Sequence, residues 1–175
     1  GYMKSPDNPK QWIVDEPVAE IVRYIYKLCL EGLGPTQIAK RLTKERILTP
    51  TAYSMSLGKS VSNKNITDPY KWVTETVKRI LADRQYTGCT VNFKSTILSY
   101  KVHKKIKNDE SKWQIIPNTQ EAIIDEDTFN RVQELRNGRR RNTATGRTSL
   151  FSGLAYCADC GSKLYFCASK SIAED

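Results

Sequence analysis

The feature that most restricts this chain is a stretch that has nothing to bury. Residues 136–148 hold Arg136, Arg139, Arg140, Arg141 and Arg147, and no apolar residue larger than Ala144. No core can be built across such a run, so folding must close before it and begin again after it. The chain therefore divides into a first domain at 1–135, a basic linker at 136–148 and part of a second domain at 149–175. A length of 175 residues accommodates this division, since single domains commonly run to roughly 100–200 residues.

Within the first domain the apolar period changes along the chain. Residues 1–14 read as a loop leading into a brief strand at Trp12, Ile13 and Val14. Asp15 is placed to cap a helix, Pro17 suits its first turn, and Val18, Ile21, Val22, Ile25, Tyr26 and Leu28 recur at helical spacing until Glu31 and Gly32. A short helix should follow, capped by Thr36, with Ile38, Ala39 and Leu42 inward and Lys40, Arg41, Lys44 and Arg46 outward. The stretch TAYSMSLGKSVSNKNITDPYK is too rich in Ser, Asn and Gly for a regular element and reads as a loop or arm. Trp72, Val73, Val77, Ile80 and Leu81 then mark another helix. From Tyr86 to Ile116 short runs of Val, Thr, Ile and Tyr predict strands of a small antiparallel sheet. A last helix, capped by Asp125 or Asp127 and carrying Phe129, Val132 and Leu135, should end near Gly138. The fold class is thus α+β.

The two helices carrying IAKRL and WVTETVKRIL are candidates for a helix-turn-helix pair, whose second helix would enter a major groove. With Val73, Val77, Ile80 and Leu81 inward, Thr74, Glu75, Lys78 and Arg79 face outward, and Lys71 stands at the helix start beside the phosphates. A structural helical hairpin with a solvated charged face fits the same pattern, and the segment between the helices is longer than the usual turn. The linker arginines suit a minor groove, where a narrow width deepens the negative potential. A solvated tether would have the same composition.

Cys157 and Cys160 in CADCGSKL have the shape of a zinc knuckle, with Gly161 allowing backbone amides to approach sulfur. A structural zinc needs four donors, and only Cys167 lies near as a third, His103 being far back in the chain. A redox pair and two ordinary buried thiols are the competing readings of the motif. No Ser stands beside a His and a carboxylate, and Glu110, Asp125, Glu126 and Asp127 read as turn and cap residues. No catalytic set is expected in these residues.

Charge narrows the partner. Twenty-eight Lys and Arg against nineteen Asp and Glu leave +9, a balance suited to polyanions and first of all to nucleic acid. No run approaches the roughly 18 apolar residues of a membrane span, and GYMKSPDNPK holds no signal-peptide core. The expectation is a cytoplasmic protein without membrane contact. A start without Met and an end just after the cysteine motif read as those of an excised fragment.

The order of VDEPVAEIVRYIYKLCLEGLGPTQIAKRLTKERILTP, WVTETVKRILADRQYTGCTV, AIIDEDTFNRVQELR and LFSGLAYCADCGSKL resembles the recombinase domain and the start of the zinc-ribbon domain of large serine recombinases, the integrases of phages and mobile elements. The resemblance covers essentially the whole chain. It implies sequence-specific binding of double-stranded DNA at an attachment site, with the nucleophilic serine in a resolvase-like domain upstream of residue 1. It also implies a recognition helix at Trp72–Leu81, arginines tracking a minor groove, and further recombinase subunits as partners of the full-length protein. Zinc is implied for that protein, held by Cys157, Cys160 and a second cysteine pair beyond Asp175, and is not expected to load on these residues alone. A basic scaffold or RNA-binding domain, or one for acidic partners, is the alternative from another class.

Overall fold

The structure, a computed structural model, describes residues 1–9, 11–61, 66–99, 101–137, 155–162 and 164. It comprises two compact units, Gly1–Val132 and Gln133–Asp175. The first opens on an antiparallel hairpin, β1 (Tyr2–Lys4) and β2 (Trp12–Val14), in register Tyr2 with Val14 and Lys4 with Trp12. The sequence pointed only to the second of these strands. Three residues of β1 carry too little pattern to announce a strand, and their pairing partner lies ten residues away.

Helix α1 (Glu16–Leu30) buries Ala19, Val22, Ile25, Tyr26, Leu28 and Cys29; of the residues its spacing marked, Val18 and Ile21 lie only partly inside, and Ala19 and Cys29 complete the stripe. Asp15 occupies the N-cap position, but its side chain makes no capping bond there. The carboxylate instead accepts a hydrogen bond from the Tyr53 hydroxyl at 3.0 Å, which accommodates an otherwise unfavourable buried charge. Helix α2 (Pro35–Lys44) is capped by Gly34 rather than Thr36: the Gln37 side chain reaches back to accept from the Gly34 N–H at 2.7 Å. Its Ile38, Ala39 and Leu42 join the core as expected.

The polar stretch after Thr49 is not wholly irregular. Helix α3 (Pro50–Ser56) occupies its start, with the Thr49 hydroxyl accepting from the Ala52 N–H and proline in the first turn. Those two local signals outweigh the unfavourable composition, and the helix ends after seven residues with one buried side chain, Ala52. Helix α4 (Thr74–Ala82) buries Val77 and Leu81 and packs against both α1 and α2. Val73, expected inside, is the N-cap residue and 52% exposed; starting the helix one residue later turns it away from the core stripe.

A 3-10 turn (Arg84–Thr87) and Gly88 lead into β3 (Thr90–Asn92). The antiparallel pairing expected over 86–116 takes the form of two nested ribbons. Strand β3 pairs with β6 (Gln114–Ile116), and between them in sequence β4 (Ser95–Ile97) pairs with β5 (Lys105–Lys107). The break falls at Phe93, whose φ of +58° bends the strand. Asn108 fastens it, its side-chain amide donating to the Phe93 carbonyl at 2.8 Å and its own carbonyl accepting from the Trp113 indole at 3.2 Å.

Helix α5 (Glu126–Asn137) begins as the sequence indicated, with an Asp125 oxygen accepting from the Thr128 N–H at 2.7 Å. That bond holds the Asp125 carboxyl below its ordinary value. Phe129 and Val132 are buried with Ile123 and Ile124, whereas Leu135 is 40% exposed and does not extend the apolar stripe.

Candidate nucleic-acid interface

Helix α4 is held at both ends by hydrogen bonds to other elements. At its start, the Trp72 N–H donates to the Thr43 hydroxyl at 3.0 Å, and the indole N–H donates to the Ile47 carbonyl at 2.9 Å. Thr43 can accept because its own proton goes to the Ala39 carbonyl, one turn back in α2. Thr36 and Thr74 bring their hydroxyls to 3.4 Å, so the first turns of α2 and α4 lie side by side. At the far end the buried Tyr26 hydroxyl from α1 lies within bonding distance of the Ile80 and Leu81 carbonyls, at 3.3 and 3.4 Å. These carbonyls belong to the last turn, where the Ile80 carbonyl also accepts from the Asp83 N–H at 3.3 Å. With a core on one side and ties at both ends, α4 is positioned by tertiary packing rather than by its nine residues of helix propensity.

The side chains singled out in the sequence distribute along this helix. Glu75, Lys78 and Arg79 are exposed on α4, Lys71 is exposed just before it, and Thr74 is half-buried against Thr36. Glu75 and Lys78 form an exposed ion pair at 3.6 Å, an interaction that contributes little in water and is readily exchanged for another partner. Lys71 follows a turn in which the Asp68 carboxylate accepts the Tyr70 N–H at 2.9 Å, while the Arg46 guanidinium lies over the Tyr70 ring at 4.8 Å. A cleft of about 590 Å³ opens beside the helix, and Lys71, Thr76 and Arg79 are among its lining residues, with Val18, Ile21 and Tyr53. The face thus offers cations at both ends of α4 and hydroxyl and carboxylate groups at its start.

Trp72, Thr43 and Tyr26 were not legible as positioning residues. Each reads as an ordinary core or helix residue, and the bonds that matter cross 25, 29 and 54 residues of sequence.

The remaining candidates lie in the second unit. Arg136, in the last turn of α5, donates to the Gln133 side chain at 2.7 Å. Arg139, Arg140, Arg141 and Arg147 fall outside the described residues, as does Cys167. Cys157 and Cys160 sit on a tight turn. The Cys157 N–H donates to the Ser162 carbonyl at 2.8 Å, the Gly161 N–H to the Cys157 carbonyl at 3.0 Å, and Gly161 takes a φ of +65°. Hydrogen bonding by Ser162, and then by Cys157, lowers the Cys160 thiol from its ordinary value. The turn places the two cysteines close in the chain, three residues apart. Among the described residues no group of three or more His, Cys, Asp or Glu is gathered for a metal.

The family model described as Recombinase matches residues 16–139, from the first turn of α1 through α5. The chain belongs to the Recombinase family. Solved structures similar to this recombinase chain include one from the crystal structure of an LSR–DNA complex, at 24% identity and a TM-score of 0.45, covering 92% of this chain and 38% of that one. Another comes from work on the sequence requirements of the Listeria innocua prophage attP site, at 23% identity and a TM-score of 0.47, covering 92% of this chain and 52% of that one. The recombinase chain therefore spans about half or less of the length of these two structures. No curated protein matches it. Among the described residues no helix is long and apolar enough to cross a membrane.

Proposed function

We propose that this chain is the DNA-binding part of a large serine recombinase and recognises double-stranded DNA at an attachment site. The observation that carries the reading is α4: a helix tied at both ends to its domain, with Lys71 exposed just before it, half-buried Thr74 and exposed Glu75 in its first turn, and Lys78 and Arg79 on its exposed side. Rigid support matters because base reading needs donors and acceptors held in register with base edges. In this arrangement Thr74 and Glu75 meet bases, Lys71, Lys78 and Arg79 meet phosphates, and the arginines from Arg136 to Arg147 follow the neighbouring minor groove. Cys157 and Cys160 supply two thiolates to a structural zinc whose role is to hold a turn, not to act chemically. Strand cleavage belongs to a serine in another part of the parent protein, and further recombinase subunits join it there.

Selection from a pool of randomised duplexes, followed by titration of the selected site at several salt concentrations, tests the reading. Wild-type protein should select a consensus. Thr74→Ala or Glu75→Ala should change the preferred bases, whereas Lys78→Ala with Arg79→Ala should weaken all sites alike and reduce the slope of log affinity against log salt by roughly 1.8, at about 0.9 per phosphate contact. Steep salt dependence without any selected consensus, or tighter binding to RNA than to duplex DNA, would overturn it in favour of a general polyanion binder.

A further inference from the structure

The inner ribbon is strongly basic and meets the α4 region through one ion pair, Lys94 with Asp83. Residues 93–107 carry five lysines and no Asp or Glu, in a chain whose total net charge is +9. Less than a tenth of the sequence thus holds more than half of the excess charge. Every residue from Lys101 to Lys107 is exposed. Lys94 pairs with Asp83 at 2.9 Å, whereas Lys104, Lys105 and Lys107 form no ion pair among the described residues. Like charges accumulated on a two-stranded ribbon repel one another and destabilise it, so folding alone gives no reason for them.

The register shows where the charges point. Ser95 faces Lys107 and Ile97 faces Lys105, which puts Lys105 and Lys107 on one face of the ribbon. Lys104 precedes β5, and its carbonyl accepts from the Leu98 N–H at 3.0 Å, which extends the pairing by one residue and sets Lys104 on the other face. The tip between the strands exposes Leu98 at 61% and Val102 at 55%. A protein partner would be met through one face, but cations on both faces with an apolar tip match a groove, where phosphates line both walls and a two-stranded ribbon can enter. The ribbon also starts beside the proposed recognition helix, because Asp83, the partner of Lys94, is the C-cap residue of α4.

We propose that the β4–β5 ribbon is a second DNA-contacting element of this domain, with Lys104, Lys105 and Lys107 on backbone phosphates and Leu98 and Val102 against the sugars of the groove. The proposal rests on the DNA-binding reading of the domain. From Lys94 to the tip the ribbon extends about 16 Å at about 3.3 Å per residue, roughly half a helical turn of duplex beyond the end of α4. It adds affinity and footprint rather than base choice.

The test compares three variants on a 40-base-pair duplex of mixed sequence and on the selected site. The variants are Lys104→Ala/Lys105→Ala/Lys107→Ala, the same three changed to Arg, and Lys78→Ala/Arg79→Ala on α4. The alanine triple should lower the log–log salt slope by roughly 2.7, by the same counterion estimate, leave the selected consensus unchanged, and shorten the hydroxyl-radical footprint on one side. The arginine triple should restore slope and footprint. A photo-crosslinker at Val102 should label duplex DNA. If the alanine triple kept the wild-type slope while the α4 double variant lost its share, the ribbon proposal would fall and the helix reading would stand. If wild-type protein bound no duplex at all, both would fall. Crosslinking to a second protein copy instead of DNA would show that the ribbon is a protein contact, and would likewise overturn the proposal.

Discussion

Substituting alanine at two glycines separates backbone strain from close approach in this fold. Gly88 and Gly32 both adopt positive φ, +82° and +92°, so alanine at either carries the left-handed penalty of about 1–2 kcal/mol. That penalty is offset by about 0.4–1 kcal/mol through the lower entropy of the unfolded chain. Their surroundings differ. A Cβ on Gly32 would meet nothing within 4 Å, whereas one on Gly88 would lie 2.7 Å from the Gln120 carbonyl oxygen and 3.3 Å from Ala122. The obstacle is backbone and cannot rotate away. It belongs to a segment already tied down, since the Gly88 carbonyl accepts from the Thr119 and Gln120 N–H groups and the Tyr86 carbonyl accepts from those of Ile123 and Ile124. Restoring ordinary contact requires a shift of roughly 0.7 Å, an overpacking that costs about 1–3 kcal/mol. The expected losses are about 1 kcal/mol for Gly32→Ala and about 2–4 kcal/mol for Gly88→Ala. Urea titrations read the difference directly: with a slope of about 2 kcal/mol per molar, the two midpoints should separate by about 1 M. Equal midpoints for the two variants would refute the close-approach argument and leave strain alone as the reason for glycine at position 88.

Three other expectations follow from single contacts. Trp72→Phe removes the indole bond to the Ile47 carbonyl, which should cost about 1–2 kcal/mol and weaken DNA binding with the salt slope unchanged, as titration at several salt concentrations would show. Asp125→Ala should cost about 1 kcal/mol at neutral pH. Because the folded-state value of this carboxyl is lowered, its contribution is present above the unfolded value and lost as pH falls through the folded one, so denaturation curves of variant and wild type should converge on acidification. Leu81→Ala, at a fully buried position facing the core from α4, should cost about 2–5 kcal/mol by thermal or urea melting.

What could be read from the sequence depended on the range of the interaction that decides each element. The Asp125 cap reaches three residues and the α1 stripe repeats within one helix, so both were legible. Asp15 has the same residue type in the same place before a helix, yet its carboxylate turns to Tyr53, 38 residues away; a cap and a buried tertiary bond look identical in sequence. Thr49 and Pro50 announced α3 locally, but the Ser, Asn and Gly that follow obscured them. The α4 face was legible from its period, apart from Val73, where a shift of one residue in the helix start moved a side chain from core to solvent, and Thr74, which lies half-buried against Thr36. The ties that hold α4, from Trp72, Thr43 and Tyr26, were not, because nothing in their neighbourhood marks a partner so far along the chain. The lysine run of the inner ribbon was visible as composition, but its division between two faces needed the register of β4 against β5.

The nesting of one ribbon inside the other makes the inner one a cassette. The outer ladder, Thr90 with Ile116 through Asn92 with Gln114, fixes the separation of the two chain ends that enter and leave residues 93–113, whatever lies between them. Length, charge or tip residues can change between Ile97 and Lys105 without altering the register of β3 and β6, the Lys94–Asp83 pair or the ties that hold α4. If the ribbon contacts DNA as proposed, such a layout would let the strength of binding vary independently of the face that α4 presents. It also identifies 98–104 as the place to graft a foreign loop or a fluorophore while keeping the rest of the domain intact.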